Sequence, residues 1–125
     1  MATSHVTAVR NSIADLVVDT IDTGAGAGNL VFMTSIDVEV ATLTFSDPAF
    51  GAAAGAIATA NAITDDTDAT GGTVALFKVQ DSGAVEKFRG SVTATGGGGD
   101  IELSSTSIGA GDTVSVSSLT YTAPV

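Results

Sequence analysis

The chain has 125 residues, no cysteine, four Lys plus Arg against fourteen Asp plus Glu, and a formal charge of -10. The missing thiols exclude a disulfide framework, a thiolate metal site and a cysteine nucleophile, and the acidic balance repels phosphate backbones and anionic lipids, so neither nucleic acid nor a membrane is an expected partner. Only 14% of residues are charged while the mean hydropathy is +0.41, which separates the chain from disordered acidic tails and points to one folding unit of marginal independent stability.

Met1-Ala2-Thr3-Ser4-His5 lacks the basic region and apolar run of a signal peptide, and the small-residue stretch Phe50 to Ile63 is too short and too alanine-rich to span a bilayer. The expectation is a soluble protein made in the cytoplasm. From Ser4 to about Thr20, Val6, Val9, Ile13, Leu16, Val17 and Ile21 recur at steps of three and four, which predicts one amphipathic helix capped by Thr3 or Ser4. Gly24-Ala25-Gly26-Ala27-Gly28 ends the helix as a flexible connection. Residues 1–28 thus read as an arm, helix and linker, and 29–125 as a β domain.

Beyond the linker the apolar period changes to two. Leu30 to Met33, Val38 to Phe45, Gly72 to Val79, Ala84 to Val92, Ile101 to Leu103 and Thr113 to Tyr121 are β-branched or aromatic runs separated by Gly, Asp, Asn and Ser. With a strand in the second half of Phe50 to Ile63, the expected fold is mainly β: an antiparallel sandwich or jelly-roll-like domain of about seven strands with one N-terminal helix. Gln80-Asp81-Ser82-Gly83-Ala84 predicts a hairpin, with Asp opening the bend and Gly at a positive φ. Ala75, Phe77 and Val79 share one face of its first strand; Phe88 and Val92 share a face with Glu86 on the second. The apolar phase slips between Val40 and Leu43 and between Val116 and Leu119, so each strand carries a β-bulge or is apolar on both faces. Read as a strand, Ala52, Ala54, Ala56, Ala58, Ala60 and Ala62 point to one side, either as a tightly packed internal face or as a shallow contact surface.

Catalytic chemistry is not legible. The lone histidine, His5, stands in the terminus as an exposed or interface residue. In the acidic turn at Asp65, Asp66 and Asp68, the residues Asp66, Asp68, Thr70 and Gly71 follow the order of an EF-hand start, but Phe77 occupies the twelfth position, leaving a solvated acidic turn or a weak cation site. Asp15 and Asp19 lie one helical turn apart on the polar face, and no acid spacing singles out a glycosidase pair. Gly96-Gly97-Gly98-Gly99 has no following lysine and reads as a flexible connection. No cofactor or structural metal is expected. Lys78, Lys87 and Arg89 either keep a sheet face soluble or form a basic patch on an acidic body.

The stretch Ala41-Thr42-Leu43-Thr44-Phe45-Ser46-Asp47-Pro48-Ala49-Phe50-Gly51, followed by Ala60-Asn61-Ala62-Ile63, resembles a group of small virion proteins of tailed bacteriophages. Ala75-Leu76-Phe77-Lys78-Val79-Gln80-Asp81-Ser82-Gly83 and Ile108-Gly109-Ala110-Gly111-Asp112-Thr113-Val114-Ser115-Val116 look like later parts of the same pattern, as does the helix before the first strand. The short Ser35-Ile36-Asp37 turn departs from it, standing where similar proteins carry a longer insertion. The resemblance implies a virion structural protein without catalysis: a capsid cement or decoration protein on the capsid surface, self-associating as a homotrimer and binding the major capsid protein. A tail or fibre component, with the helix trimerising through Ile13, Leu16, Val17 and Ile21, is the alternative, and a two-carboxylate glycan hydrolase the remote one. The candidate partner-contact residues are His5, Val6 and Arg10 at the helix start, Ala52, Ala54 and Ala56 on the alanine segment, and Lys87 and Arg89 on the hairpin.

Overall fold

The structure, a computed structural model, describes residues 3–125; Met1 and Ala2, the first residues of the expected arm, lie outside the described residues. Helix α1 spans Thr7–Asp19 and tightens into a 3-10 turn at Thr20–Asp22. Nine strands follow: β1 Asn29–Met33, β2 Glu39–Thr44, β3 Ile57–Thr59, β4 Gly72–Thr73, β5 Leu76–Gln80, β6 Glu86–Ala94, β7 Ile101–Leu103, β8 Ser107–Ile108 and β9 Thr120–Thr122. Five form one curled mixed sheet in the order β2-β1-β5-β6-β7, while β3 pairs with β9 and β4 with β8.

The inner face of that sheet is the core. Antiparallel register places Leu30 beside Leu43 and Val79, and Phe32 beside Ala41 and Phe77, so period-two alternation sends these side chains to one side. Leu30, Phe32, Leu43 and Val79 are completely buried. Phe88 meets Phe77 edge-on at 6.4 Å, ring edge against ring face, and meets the tilted ring of Tyr121 at 5.5 Å, which ties β9 over the sheet. Glu86 remains exposed. Val31 and Met33, on the other face of β1, are buried too, which accounts for the uninterrupted apolar run of that strand.

The mainly β class, the N-terminal helix, the Gln80–Ala84 hairpin and the bulge in β2 match the sequence reading, and two local expectations are corrected. The helix cap is Val6, with no side-chain cap hydrogen bond, instead of Thr3 or Ser4. The register shift in β2 falls where Phe32 faces Ala41 and Met33 faces Glu39, so the extra residue is Val40, as the phase slip required. The second slip marks no strand: within Thr113 to Tyr121, only Val114 forms a bridge before β9 begins at Thr120.

Pairing of β6 with β7 is parallel, in contrast to the all-antiparallel expectation. Parallel neighbours ordinarily need a crossover of a dozen or more residues, yet only residues 95–100 join these two. The glycines make the short return possible. A Cβ at Gly97 would lie 2.7 Å from Thr93 Cβ and one at Gly99 2.9 Å from Thr93 N, so the chain folds directly over Thr93, whose Oγ1 accepts the Gly99 N–H at 3.0 Å. Gly96–Gly99 is therefore a packed reversal instead of a flexible linker.

The alanine segment does not form one face. Ala54 and Ile57 exchange both backbone hydrogen bonds around Gly55 (φ 59°) and Ala56 (φ 69°), a tight two-residue hairpin that needs positive φ at both central residues. The reversal buries Ala56 and Ala58 and leaves Ala52, Ala54 and Ala62 exposed.

In the β5–β6 turn, Ala84 and not Gly83 takes the positive φ, at 62°. A left-handed conformation costs a residue bearing Cβ roughly 1–2 kcal/mol, part of which a glycine returns through its freer unfolded chain. Ala84→Gly is expected to stabilise the fold by about 0.5–1 kcal/mol, read as a higher thermal midpoint; a lowered midpoint would contradict the strain argument.

Candidate functional site

The anchoring of α1 decides which surface it offers. The amides of Ala56 and Ala53 donate at 2.7 Å to Asn11 Oδ1 and Asp15 Oδ1, and that of Ala49 donates at 2.9 Å to Asp22 Oδ1. Asn11 and Asp15 are one turn apart, so the helix and its 3-10 extension present polar oxygens to a small-residue segment whose amides lack strand partners. The apolar residues on this buried side are Ala14, Val18 and Ile21. At 100° per residue this face is rotated roughly a quarter turn from the stripe seen in the sequence. Ile21 is buried and Ile13 and Val17 are half-buried, while Val6 (70%), Val9 (44%) and Leu16 (70%) stay exposed.

The C-terminal tail lies against the start of the same helix. Arg10 donates through Nη2 to the Ala123 carbonyl at 2.8 Å and through Nε to the Pro124 carbonyl at 3.0 Å, and His5 Nδ1 lies 3.2 Å from the Val125 carbonyl. Val125 is 72% exposed and adds apolar surface at this end of the helix. The structure thus gathers His5, Val6 and Arg10 at one end of α1, and the Asn11 and Asp15 hydrogen bonds bring the Ala52–Ala54 loop under it. Arg10 itself is half-buried and occupied with carbonyls. Ala56 is buried completely and cannot meet a partner, because the tight turn tucks it inward.

Lys87 and Arg89 do not form a free basic patch. The Lys87 ammonium lies 3.0 Å from Asp81 Oδ2, both side chains largely covered. Asp81 also accepts the amides of Gly83 at 2.9 Å and Val85 at 3.0 Å. The Lys87 hydrogen bond, followed by the Val85 and Gly83 N–H donors, holds the Asp81 carboxyl below the usual carboxylate range. Arg89 pairs with Glu86 at 2.8 Å and Asp37 at 3.1 Å; hydrogen bonding to Glu86, then to Asp37, raises the Arg89 pKa, and Arg89 lowers that of Glu86. Sequence alternation placed Lys87 and Arg89 on one face, but the bulge opposite Val79 and Gln80 makes Lys87 the unpaired extra residue.

The acidic turn has a structural occupation. Asp66 Oδ2 accepts the Thr42 N–H at 2.8 Å and Oδ1 the Asp68 N–H at 2.9 Å. Together with the Thr44–Thr64 bridge and the Gly71 to Val40 hydrogen bond, it covers the free edge of β2 as an additional strand would. Among the described residues no three His, Asp or Glu side chains cluster as a metal site, and none of the helices is long and apolar enough to cross a membrane. The positioning roles of Asn11, Asp15, Asp22 and Asp66 escape a sequence reading, since each partner amide is 24 or more residues away. The only sequence signal is the polar oxygens on the Asn11 and Asp15 stripe.

No protein family, no curated protein and no solved structure matches this chain.

Asp15→Ala leaves the Ala53 amide without its acceptor and is expected to destabilise the fold by about 1–2 kcal/mol, with Asp15→Asn, which retains an acceptor oxygen, closer to the parent. Denaturant titration tests the pair; equal stability of Asp15→Ala and the parent would remove the anchoring role. For Asp81, the folded pKa lies below the unfolded value, so its contribution is present above the unfolded pKa of about 4 and is lost as pH falls through the folded one. Asp81→Asn should therefore lower the thermal midpoint at pH 7, and its difference from the parent should shrink below about pH 4. A difference that does not change with pH would refute the ion-pair account.

Proposed function

We propose that this chain is a non-enzymatic structural protein of a tailed-phage particle, a cement or decoration protein that binds the outer capsid shell through the major capsid protein and self-associates as a homotrimer. The observation that carries this reading is the apolar ridge of α1. Val6, Val9 and Leu16 are exposed along one side of a helix whose other side is hydrogen-bonded to the body. An exposed contiguous apolar patch marks an interaction surface, and this one contains no charge, so acidic bodies can meet along it without placing carboxylates face to face.

Two further features support an assembly role. The resemblance to small phage virion proteins supplies the setting. Seven of the fourteen acids, Asp15, Asp22, Asp66, Asp81, Asp100, Glu102 and Asp112, each accept a backbone amide, a structural use of carboxylates in keeping with a non-enzymatic part. The ridge also favours the second reading, a tail or fibre component held by its helix, although Ile21 of the stripe expected to trimerise is buried inside the protomer.

Cryo-electron microscopy of intact particles separates the two readings: one copy per capsid subunit supports the cement role, and density confined to the tail overturns it. The self-association is read by sedimentation. The parent chain should assemble, and the double variant Val9→Lys with Leu16→Lys should weaken assembly about tenfold or more with little change in thermal midpoint, because both residues are exposed. A parent that stays monomeric at high micromolar concentration removes the ridge from the interface.

A further inference from the structure

We infer that the chain carries a strand-accepting slot between β7 and the segment Thr113–Leu119, built to receive an extended, basic segment of another protein. The two edges of the main sheet are treated differently. The β2 edge is covered by residues 64–71. Beyond β7 lies a groove of about 630 Å³ lined by residues of β7, the loop after it and residues 112–120.

Both walls offer unused backbone groups. On β7, the Leu103 carbonyl accepts the Thr95 N–H at 3.0 Å on the β6 side. Alternate residues of a strand direct their amides to opposite sides, so Glu102 turns its N–H and C=O toward the groove. On the far wall, Ser115, Val116, Ser117 and Ser118 make no backbone hydrogen bond with any described residue. Val114 is held by a reciprocal pair of backbone hydrogen bonds with Asp66, and Leu119 by its carbonyl, which accepts the Ala60 N–H at 2.9 Å. The free stretch is therefore anchored at both ends.

The ladder shows what is missing. Hydrogen-bonded neighbours run from β7 through β6, β5, β1 and β2 to Thr64–Asp66, then to Val114, and stop at the groove. One added strand would join the two ends of this series. A strand residue occupies roughly 160 Å³, from a rise of about 3.3 Å, a spacing of about 4.8 Å and a layer depth of about 10 Å. The groove thus holds about four residues of extended chain. Ile101 and Val114 are buried and Leu103, Val116 and Leu119 half-buried, while the serines are exposed. That pattern suits an incoming strand with alternate apolar residues.

Charge selects the occupant. Asp100, Glu102 and Asp112 border the groove, and none has a cation within ion-pair distance among the described residues. A second copy of this chain, at -10 with Lys87 and Arg89 already paired, brings little positive charge. A segment carrying Lys or Arg between small or branched apolar residues complements the site. This inference is independent of the helix ridge and of the phage setting.

Three nine-residue peptides test it by titration against the full chain, with amide exchange followed by NMR: Lys-Val-Thr-Val-Lys-Val-Thr-Val-Lys, its twin with Glu for Lys, and the basic peptide with Pro for both Thr. The basic peptide should bind about tenfold or more tighter than either control and should slow exchange at Glu102 and at alternate amides within Ser115–Ser118. Ser117→Pro, which removes an amide that bonds to no described residue, should weaken binding several-fold at unchanged thermal midpoint. Absent protection at these amides with millimolar basic peptide, or equal binding of the acidic or proline control, would overturn the proposal, and the helix-ridge reading would stand untouched.

Discussion

A buried backbone amide must find an acceptor or cost about as much as a lost hydrogen bond; in this chain the covered amides of Thr42, Ala49, Ala53 and Ala56 find theirs on Asp66, Asp22, Asp15 and Asn11, and further carboxylates serve amides at the surface. Apart from the five-stranded sheet, the strands are two or three residues long and the links between them irregular, so the ladder leaves many amides unserved. At least seven of the fourteen acids take up that work, together with Asn11. No buried side-chain polar atom among the described residues is left without a partner. The acidity of the chain is therefore also a structural resource, spent on turns, loop crossings and one sheet edge.

That constraint sets the helix. Alone, α1 would bury its apolar stripe. Instead, the amides of Ala49, Ala53 and Ala56 draw Asp22, Asp15 and Asn11 toward the body, and small side chains, Ala14 and Val18, fill the space between. The apolar stripe is turned aside, and Val6, Val9 and Leu16 remain outside. Hydrogen-bond satisfaction within the chain thus leaves part of the helix's apolar surface outside the core.

The same constraint separates the two sheet edges. Asp66 and the chain around it close β2, which a free edge would expose to uncontrolled pairing. At β7 the neighbouring carboxylates turn to other amides: Asp100 accepts the Ser91 N–H, and Glu102 accepts those of Gly96 and Gly98. These bonds hold the short parallel return in place and leave the outer groups of β7 facing a groove. The cations follow the pattern, with Lys87 and Arg89 neutralised locally and Arg10 gripping the C-terminal carbonyls.

Much of the architecture was legible because it rests on local rules. The helix, the apolar runs of β1, β2, β5 and β6, the hairpin at Asp81 and the phase slip at Val40 follow from periodicity, turn chemistry and the two faces of a strand, all read within about ten residues. By itself the sequence determined a mainly β unit with one helix, an acidic body, and no thiol chemistry. It did not determine which helix face is buried, the parallel placement of β7, the folding back of the alanine segment at Gly55–Ala56, or the role of Asp66. Those depend on amides and side-chain oxygens 24 to 45 residues apart in the chain and on backbones passing too close for a Cβ. Only the tertiary structure decides them, because pattern reports what a residue prefers, while its partner is set by where the rest of the chain has gone.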